Sequence, residues 1–232
     1  MRRILTLLYM TTLVGIYASS SGHASSKYTY TIGVSNNDVS HNANFSSSQI
    51  PGVPVSFLDR STSSSSDYGY FASVDRITDI NSYLFIAPSL SFEKMDSSTK
   101  DNFNFIFNFN DRITASLKLG IKATKFITFY PFIGLSDVGY EVVGNNVNSS
   151  FFDNFGGTAA SNNYRNFSNR ESSSISGIGV LIDISKKLSL SIEYSKQDLD
   201  IYSRHKILFN GKFDSSIKSS IDSIKLGLTS KF

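Results

Sequence analysis

From Tyr28 to the C-terminus, apolar and polar residues alternate with a period of two. Tyr28, Tyr30, Ile32 and Val34 interleave with Thr29, Thr31 and Gly33. Tyr68, Tyr70, Ala72 and Val74 come next, then Leu84, Ile86, Pro88, Leu90 and Phe92. This period marks strands with one apolar and one polar face. In the fourth segment Phe103, Phe105, Phe107 and Phe109 interleave with Asn104, Asn108 and Asn110. The same odd-numbered register runs on past Asp111 through Ile113, Ala115, Leu117, Leu119 and Ile121. A hairpin at Asn110-Asp111-Arg112 would split the run, but its unbroken phase predicts one strand of about twenty residues. The fifth segment spans about Phe126 to Val142, where Pro131 and Gly134 interrupt the pattern and either face could be the apolar one. Ile178, Val180, Ile182 and Ile184 define the sixth and Leu188, Leu190, Ile192 and Tyr194 the seventh. Ile224, Leu226, Leu228 and Phe232 define the eighth.

The connections sort by length. Those near 76–81, 123–125 and 185–187 are short; those near 36–66, 95–101, 143–172 and 198–213 are mostly long and rich in Ser and Asn. Short and long alternate strictly, so the long ones share one end. This is the plan of an all-β, closed, eight-stranded antiparallel up-and-down transmembrane barrel. A soluble barrel would turn its apolar face inward. Here the polar faces carry Gly, Ser and charges of both signs, which suit a narrow lumen that side chains can just fill. Glu93, Arg112, Lys118, Asp183, Glu193 and Lys225 are expected to balance one another there, because an unpaired buried charge costs several kcal/mol. Phe, Tyr, Leu, Ile and Val are expected to face lipid.

Residues 1–24 have a different character. Met1-Arg2-Arg3 precedes an apolar stretch from Ile4 to Tyr17, and small residues lead to Ala24. This is a secretory signal pattern with cleavage expected after Ala24, leaving residues 25–232 as the exported barrel domain. Ala18 to Ser20 is the alternative cleavage region.

Composition narrows the classes. The chain of 232 residues has no Cys and no Trp, 19 Phe, 12 Tyr and 18% charged residues. The missing thiols exclude disulfides and thiolate zinc sites. A mean hydropathy of −0.10 excludes a polytopic helical membrane protein. The net charge of +3 is interspersed, with no basic block that would mark nucleic-acid binding.

Three stretches carry a resemblance. Tyr130-Pro131-Phe132-Ile133-Gly134-Leu135-Ser136-Asp137-Val138-Gly139-Tyr140 is similar to a Pro-aromatic-aliphatic-Gly strand of the small bacterial outer-membrane β-barrels, the opacity-protein and OmpA- and OmpX-like eight-stranded "porin family". Ser136 departs from the Gly common there. Gly177 to Val180 with Leu188 to Tyr194 resembles the penultimate hairpin of that family, and Ile224 to Phe232 its C-terminal assembly signal. The resemblance implies an outer-membrane location, with Ile224, Leu226, Leu228 and Phe232 read by barrel-assembly machinery and periplasmic chaperones. Ser230 stands where an apolar or aromatic residue is frequent. It further implies a monomer in contact with outer-membrane lipid and lipopolysaccharide. No peptidoglycan-binding domain is expected after Phe232.

Candidate chemistry is sparse. Catalysis by a nucleophile needs a base within hydrogen-bond reach. Beyond residue 24 the histidines are His41 and His205, both expected in solvated loops, so no enzyme activity and no cofactor is expected. Asp198 and Asp200 could share a side and bind a divalent or lipopolysaccharide-bridging ion, although a solvated strand end is the simpler reading. Ser46 to Ser48 and Ser61 to Ser66 read as flexible cover in loop one. In loop three Phe151, Phe152, Phe155, Tyr164, Arg165, Phe167 and Arg170 combine aromatics with Arg, a pairing favoured in recognition surfaces. The expected role is structural or surface-interacting, adhesin- or antigen-like, with a possible host or surface ligand. The alternative is a narrow diffusion channel for small solutes, followed by a lipid-modifying enzyme.

Overall fold

A computed structural model of the chain describes residues 26–48, 58–100, 105–144, 167–206 and 212–231. They form eight strands: β1 (Ser26–Ser48), β2 (Leu58–Asp79), β3 (Leu84–Lys100), β4 (Phe105–Lys122), β5 (Ile127–Gly144), β6 (Phe167–Asp183), β7 (Leu188–Lys206) and β8 (Lys212–Lys231). Neighbours pair antiparallel in sequence order and β1 pairs with β8, closing the barrel. Closure leaves no strand edge unpaired, the condition for a sheet to cross hydrocarbon. Residues 1–24, expected to be a signal segment, and Phe232 lie outside the described residues.

Three short connections are present, two of them where the pattern predicts and the first at 80–83 because residues 76–79 continue β2, and all three share one construction. Asn81, Thr124 and Ser185 each accept backbone N–H bonds with their side-chain oxygens, from Tyr83 and Leu84, from Phe126 and Ile127, and from Lys187 and Leu188. Asx- and ST-turns of this kind fix a tight reversal without glycine.

The strands run 17 to 23 residues, about twice the 9–11 that span a bilayer. Adjacent outward positions show where the spare length goes. Tyr70, Val34, Leu226 and Ile192 stand in one row across β2, β1, β8 and β7, and Tyr68, Asn36, Ile224 and Tyr194 in the next. Ser66, Asp38, Asp222 and Lys196 follow, then Ser64, Ser40, Ser220 and Asp198. The outer wall thus changes from apolar to polar within two rows. Below the change Ile32 is 68% and Ile178 63% exposed, an apolar belt whose natural solvent is lipid. Tyr68 and Tyr194 mark its upper edge, and the Tyr194 hydroxyl donates upward to Asp222 at 2.8 Å. Tyr28, Tyr83 and Phe126, all exposed, mark the turn end.

Above the belt the interior inverts as well. Val39, Met95, Phe107, Phe109, Val138, Tyr140, Leu199, Ile201, Ile217 and Ile221 form one buried cluster inside the barrel. The upper storey is therefore built like a soluble barrel, apolar inside and polar outside, on top of a membrane barrel of opposite polarity.

This arrangement corrects three sequence expectations. The Ser-rich runs of loop one are not flexible cover: residues 46–48 belong to β1 and 61–66 to β2, with Ser40 opposite Ser64 and Asn42 opposite Thr62. The long connections shorten to match, because the polar segments are paired strands whose outer face meets water. The fourth segment is one strand, but its phase is broken. Pairing with β5 shifts between Phe109 and Asp111 and pairing with β3 shifts between Lys94 and Ser97. A β-bulge of this kind flips side-chain parity. Phe107 and Phe109 consequently point into the barrel, while Leu119 and Ile121 point outward. Phe103 lies outside the described residues.

The third correction concerns aromatics. Phe71 and Phe85 face the lumen rather than lipid, and on the fifth strand, whose face the sequence left open, Tyr130 and Phe132 face the lumen as well. Phe85, Tyr130 and Phe132 stand opposite Gly120, Gly179 and Gly177 on the neighbouring strand, where an added Cβ would overlap the ring. Phe71 packs against Gly227. Three of these rings also lie beneath a lysine, with Lys118 over Tyr130 at 5.0 Å, Lys122 over Phe85 at 5.9 Å and Lys225 over Phe71 at 5.1 Å. Cation–π contacts of this kind favour a cation that has left water. On β5 the outward face is the odd one, with Phe129 and Ile133 exposed.

Candidate functional site

The lumen is filled in layers. At the turn end Lys122 and Lys27 reach Asp79 at 2.6 and 3.7 Å, and Lys231 reaches Asp183 at 2.5 Å, with Ser189 donating to the same carboxylate. Above them Lys118 bridges Glu193 at 2.8 Å and Asp75 at 3.3 Å, and the Tyr130 hydroxyl donates to Glu193 at 2.8 Å. Higher still, Glu93 takes Arg112 and Lys225 at 2.6 and 2.9 Å. Asn37 Nδ2 donates to the other Glu93 oxygen at 2.9 Å, and Ser223, which accepts from Arg112, donates back to Asn37. Glu93 and Arg112 are 1% and 0% exposed, so the carboxylate's capacity is spent on protein partners.

Sequence reasoning placed Glu93, Arg112, Lys118, Glu193 and Lys225 together, and they are. Asp183 sits apart, at the turn-end mouth with Lys231. The residues it missed are Asn37, Ser223 and Tyr130. A polar Asn or Ser at an inward position gives no signal until its neighbours are known, and Tyr130 sat on a strand whose face was unassigned.

Between the charged layers, beside Lys118, Glu193 and Lys225, the lumen keeps a cavity of about 10 Å³, on the scale of a single water. The apolar cluster then caps the lumen. His41 lies within this cap, not in a solvated loop: it is 4% exposed, stacked on Phe109 at 5.2 Å and tilted against Phe107 at 5.1 Å. Its Nδ1 and the Ser219 hydroxyl are hydrogen-bonded at 2.7 Å. This is a Ser–His contact without the other parts of a nucleophilic site. Ser219 is buried and His41 Nε2 meets no hydrogen-bond partner, while both residues border the open groove beside Asp198 and Asp200. His205 lies in β7 opposite Phe213, again in a strand rather than a loop.

The outer wall holds the remaining candidates. Arg170, read as a loop recognition residue, lies in β6 and is committed to neighbours. Its Nε donates to Asp137 at 2.6 Å and its Nη1 to Asp111 at 2.7 Å, across β5 at Gly139. An added Cβ at Gly139 would overlap the Asp111 carboxylate, so the missing side chain makes the crossing possible. Phe167 begins β6 opposite Val142. Phe151, Phe152, Phe155, Tyr164 and Arg165 lie outside the described residues.

Asp198 and Asp200 both face outward and border an open groove whose lining also includes Ser40, Asn42, Lys218 and the His41–Ser219 pair. Asp200 stands opposite Lys218. No group of metal-ligating side chains occurs among the described residues. Ile224, Leu226 and Leu228 are about half exposed on the belt.

No protein-family model and no curated relative matches the sequence. Solved structures similar to this chain include the outer membrane protein OprG from Pseudomonas aeruginosa, 12% identical over 91% of this chain and 98% of that chain, with a TM-score of 0.46. The outer membrane protein AlkL is similar over 88% of this chain and 90% of that one, at 10% identity and a TM-score of 0.44. Ail, the attachment invasion locus protein of Yersinia pestis, is 12% identical over 86% of this chain and 99% of that one, with a TM-score of 0.41.

Proposed function

We propose that the protein is an outer-membrane barrel that acts at the cell surface, as a structural or surface-interacting protein presenting its upper storey and loops to ligands. Residues 1–24 are its cleaved export signal in this reading, and the mature protein is a monomer without enzymatic activity. The observation that carries the reading is the filled lumen beneath a polar wall. Three layers of ion pairs and a cap of buried aliphatic and aromatic side chains occupy the axis, which argues for a presented exterior rather than a passage. Exposed Ser, Thr, Asn and Asp on four adjacent strands supply hydrogen-bonding groups above the belt.

Two experiments test this. Planar-bilayer recording of the purified protein is expected to give no stable conductance; a reproducible open state would favour the diffusion channel. Binding of envelope-displayed protein to host-surface or matrix preparations is expected to fall when residues 145–166 are deleted between β5 and β6. Unchanged binding would sink the role of that loop.

A further inference from the structure

The turn end of the barrel carries a charge imbalance that the lumen does not. Inside the mouth, Lys27, Lys122 and Lys231 meet the carboxylates of Asp79 and Asp183. Around the outside of the same end stand Lys125, Lys186 and Lys187, and the described outer rim there holds no Asp or Glu. Lys125, Lys186 and Lys187 are exposed and sit on the turns themselves.

The apolar groups at this rim are just as placed. Ile80, Tyr83, Phe126 and Ile184 are 59 to 69% exposed and belong to the same three turns as the lysines or to their continuation. Each turn is pinned by its Asn81, Thr124 or Ser185 cap, so these side chains project from a fixed backbone. A water-soluble protein partner would not need both sets. Aromatic and aliphatic groups at belt level with cations just beyond them match the boundary between acyl chains and headgroups. The opposite rim differs: Arg170 is held by Asp111 and Asp137, and Asp38, Asp198 and Asp222 add carboxylates.

We infer that the turn-end rim is a binding surface for anionic phospholipid headgroups, with Lys125, Lys186 and Lys187 as the cations that select them. The inference rests on the reading of the chain as a membrane barrel with its turn end toward the phospholipid leaflet. Headgroup phosphates would be held by exposed lysines on the same turns as Phe126 and Ile184, an electrostatic attraction of the kind that concentrates anionic lipid at basic surfaces.

The test is to reconstitute the full protein in vesicles of equal phosphatidylglycerol and phosphatidylcholine, exchange it into detergent, and measure the retained lipids by mass spectrometry. The native protein is expected to retain phosphatidylglycerol over phosphatidylcholine by at least about threefold, less so as salt in the exchange buffer rises. The variant K125Q/K186Q/K187Q is expected to retain both equally, and the control K94Q/K196Q/K218Q at the other end to keep the preference. Equal retention by the native protein, an unchanged preference in the turn variant, or a preference indifferent to salt would overturn the inference. So would loss of binding to isolated peptidoglycan in the turn variant with lipid preference intact, which would make the cell wall the partner. Boiled and unboiled samples on SDS gels separate the two levels of failure. A heat shift without lipid preference sinks this inference alone, whereas no heat shift in the native protein sinks the barrel reading beneath it.

Discussion

Arg112 and Glu93 occupy directly opposed positions on β4 and β3 and are joined by two hydrogen bonds, Nε and Nη2 to one carboxylate oxygen at 3.0 and 2.6 Å, in the buried centre of the barrel. The same carboxylate also serves Lys225, so one acid compensates two cations.

That asymmetry predicts unequal costs. Glu93→Gln leaves Arg112 and Lys225 facing each other without their shared anion, whereas Lys225→Met leaves Glu93 with Arg112 and Asn37. Breaking a buried pair costs about 3–5 kcal/mol, so Glu93→Gln is expected to sit at or beyond that range and Lys225→Met clearly below it. Urea midpoints of the vesicle-folded variants check the order. Equal losses would mean that water reaches this layer.

The glycine–aromatic pairs make a packing prediction. Gly120→Val drives a side chain into the Phe85 ring and should destabilise by about 1–3 kcal/mol, the usual range for overpacking. Phe85→Ala alone opens a cavity and should also destabilise. The double variant is expected to recover part of the loss, because the added valine fills space the ring vacates. Additive losses in the double-mutant cycle would show that the two side chains do not share the space.

A pH dependence follows from His41, which sits above the belt. Burial against Phe107 and Phe109 pushes its pKa down from the ordinary 6.5 to about 4. The folded state therefore binds fewer protons than the unfolded chain between those values. The stability this residue contributes is present above about pH 6.5 and declines as pH falls toward 4. Hydrogen exchange at β1 and β8 amides near His41 is expected to speed up over that window. His41→Phe should flatten the response, and an identical acid profile in that variant would remove His41 as its cause.

Much of this was legible in the chain. Period-two alternation, three short turns and the polar face of mixed charges led to the strand count, the connectivity and the five central lumen charges. The upper storey was hidden by a compensation within β4. On β1, β3, β5, β7 and β8 the apolar residues change parity at the belt edge, as between Leu199 or Ile201 and Ile192 on β7, so the upper alternation looked like loss of pattern. On β4 the bulge changes the backbone parity instead, so Phe107 and Phe109 seemed continuous with Leu119 and Ile121. A bulge is a property of pairing with neighbours, and one strand read alone does not contain it. His41 was misplaced for the same reason: Ser- and Asn-rich flanks suggest a loop unless the opposite face of each residue is followed.

The polarity inversion is the central structural claim, and the cysteine-free sequence allows it to be measured directly. Single cysteines at Val34, Asp38, Leu119 and Asn108 can each carry a fluorescent label in vesicle-reconstituted protein, read against lipid-borne and aqueous quenchers. Labels at Val34 and Leu119 are expected to be quenched from the lipid, and those at Asp38 and Asn108 from water. Lipid quenching at Asp38 and Asn108, or aqueous quenching at Val34 and Leu119, would contradict the two-storey barrel.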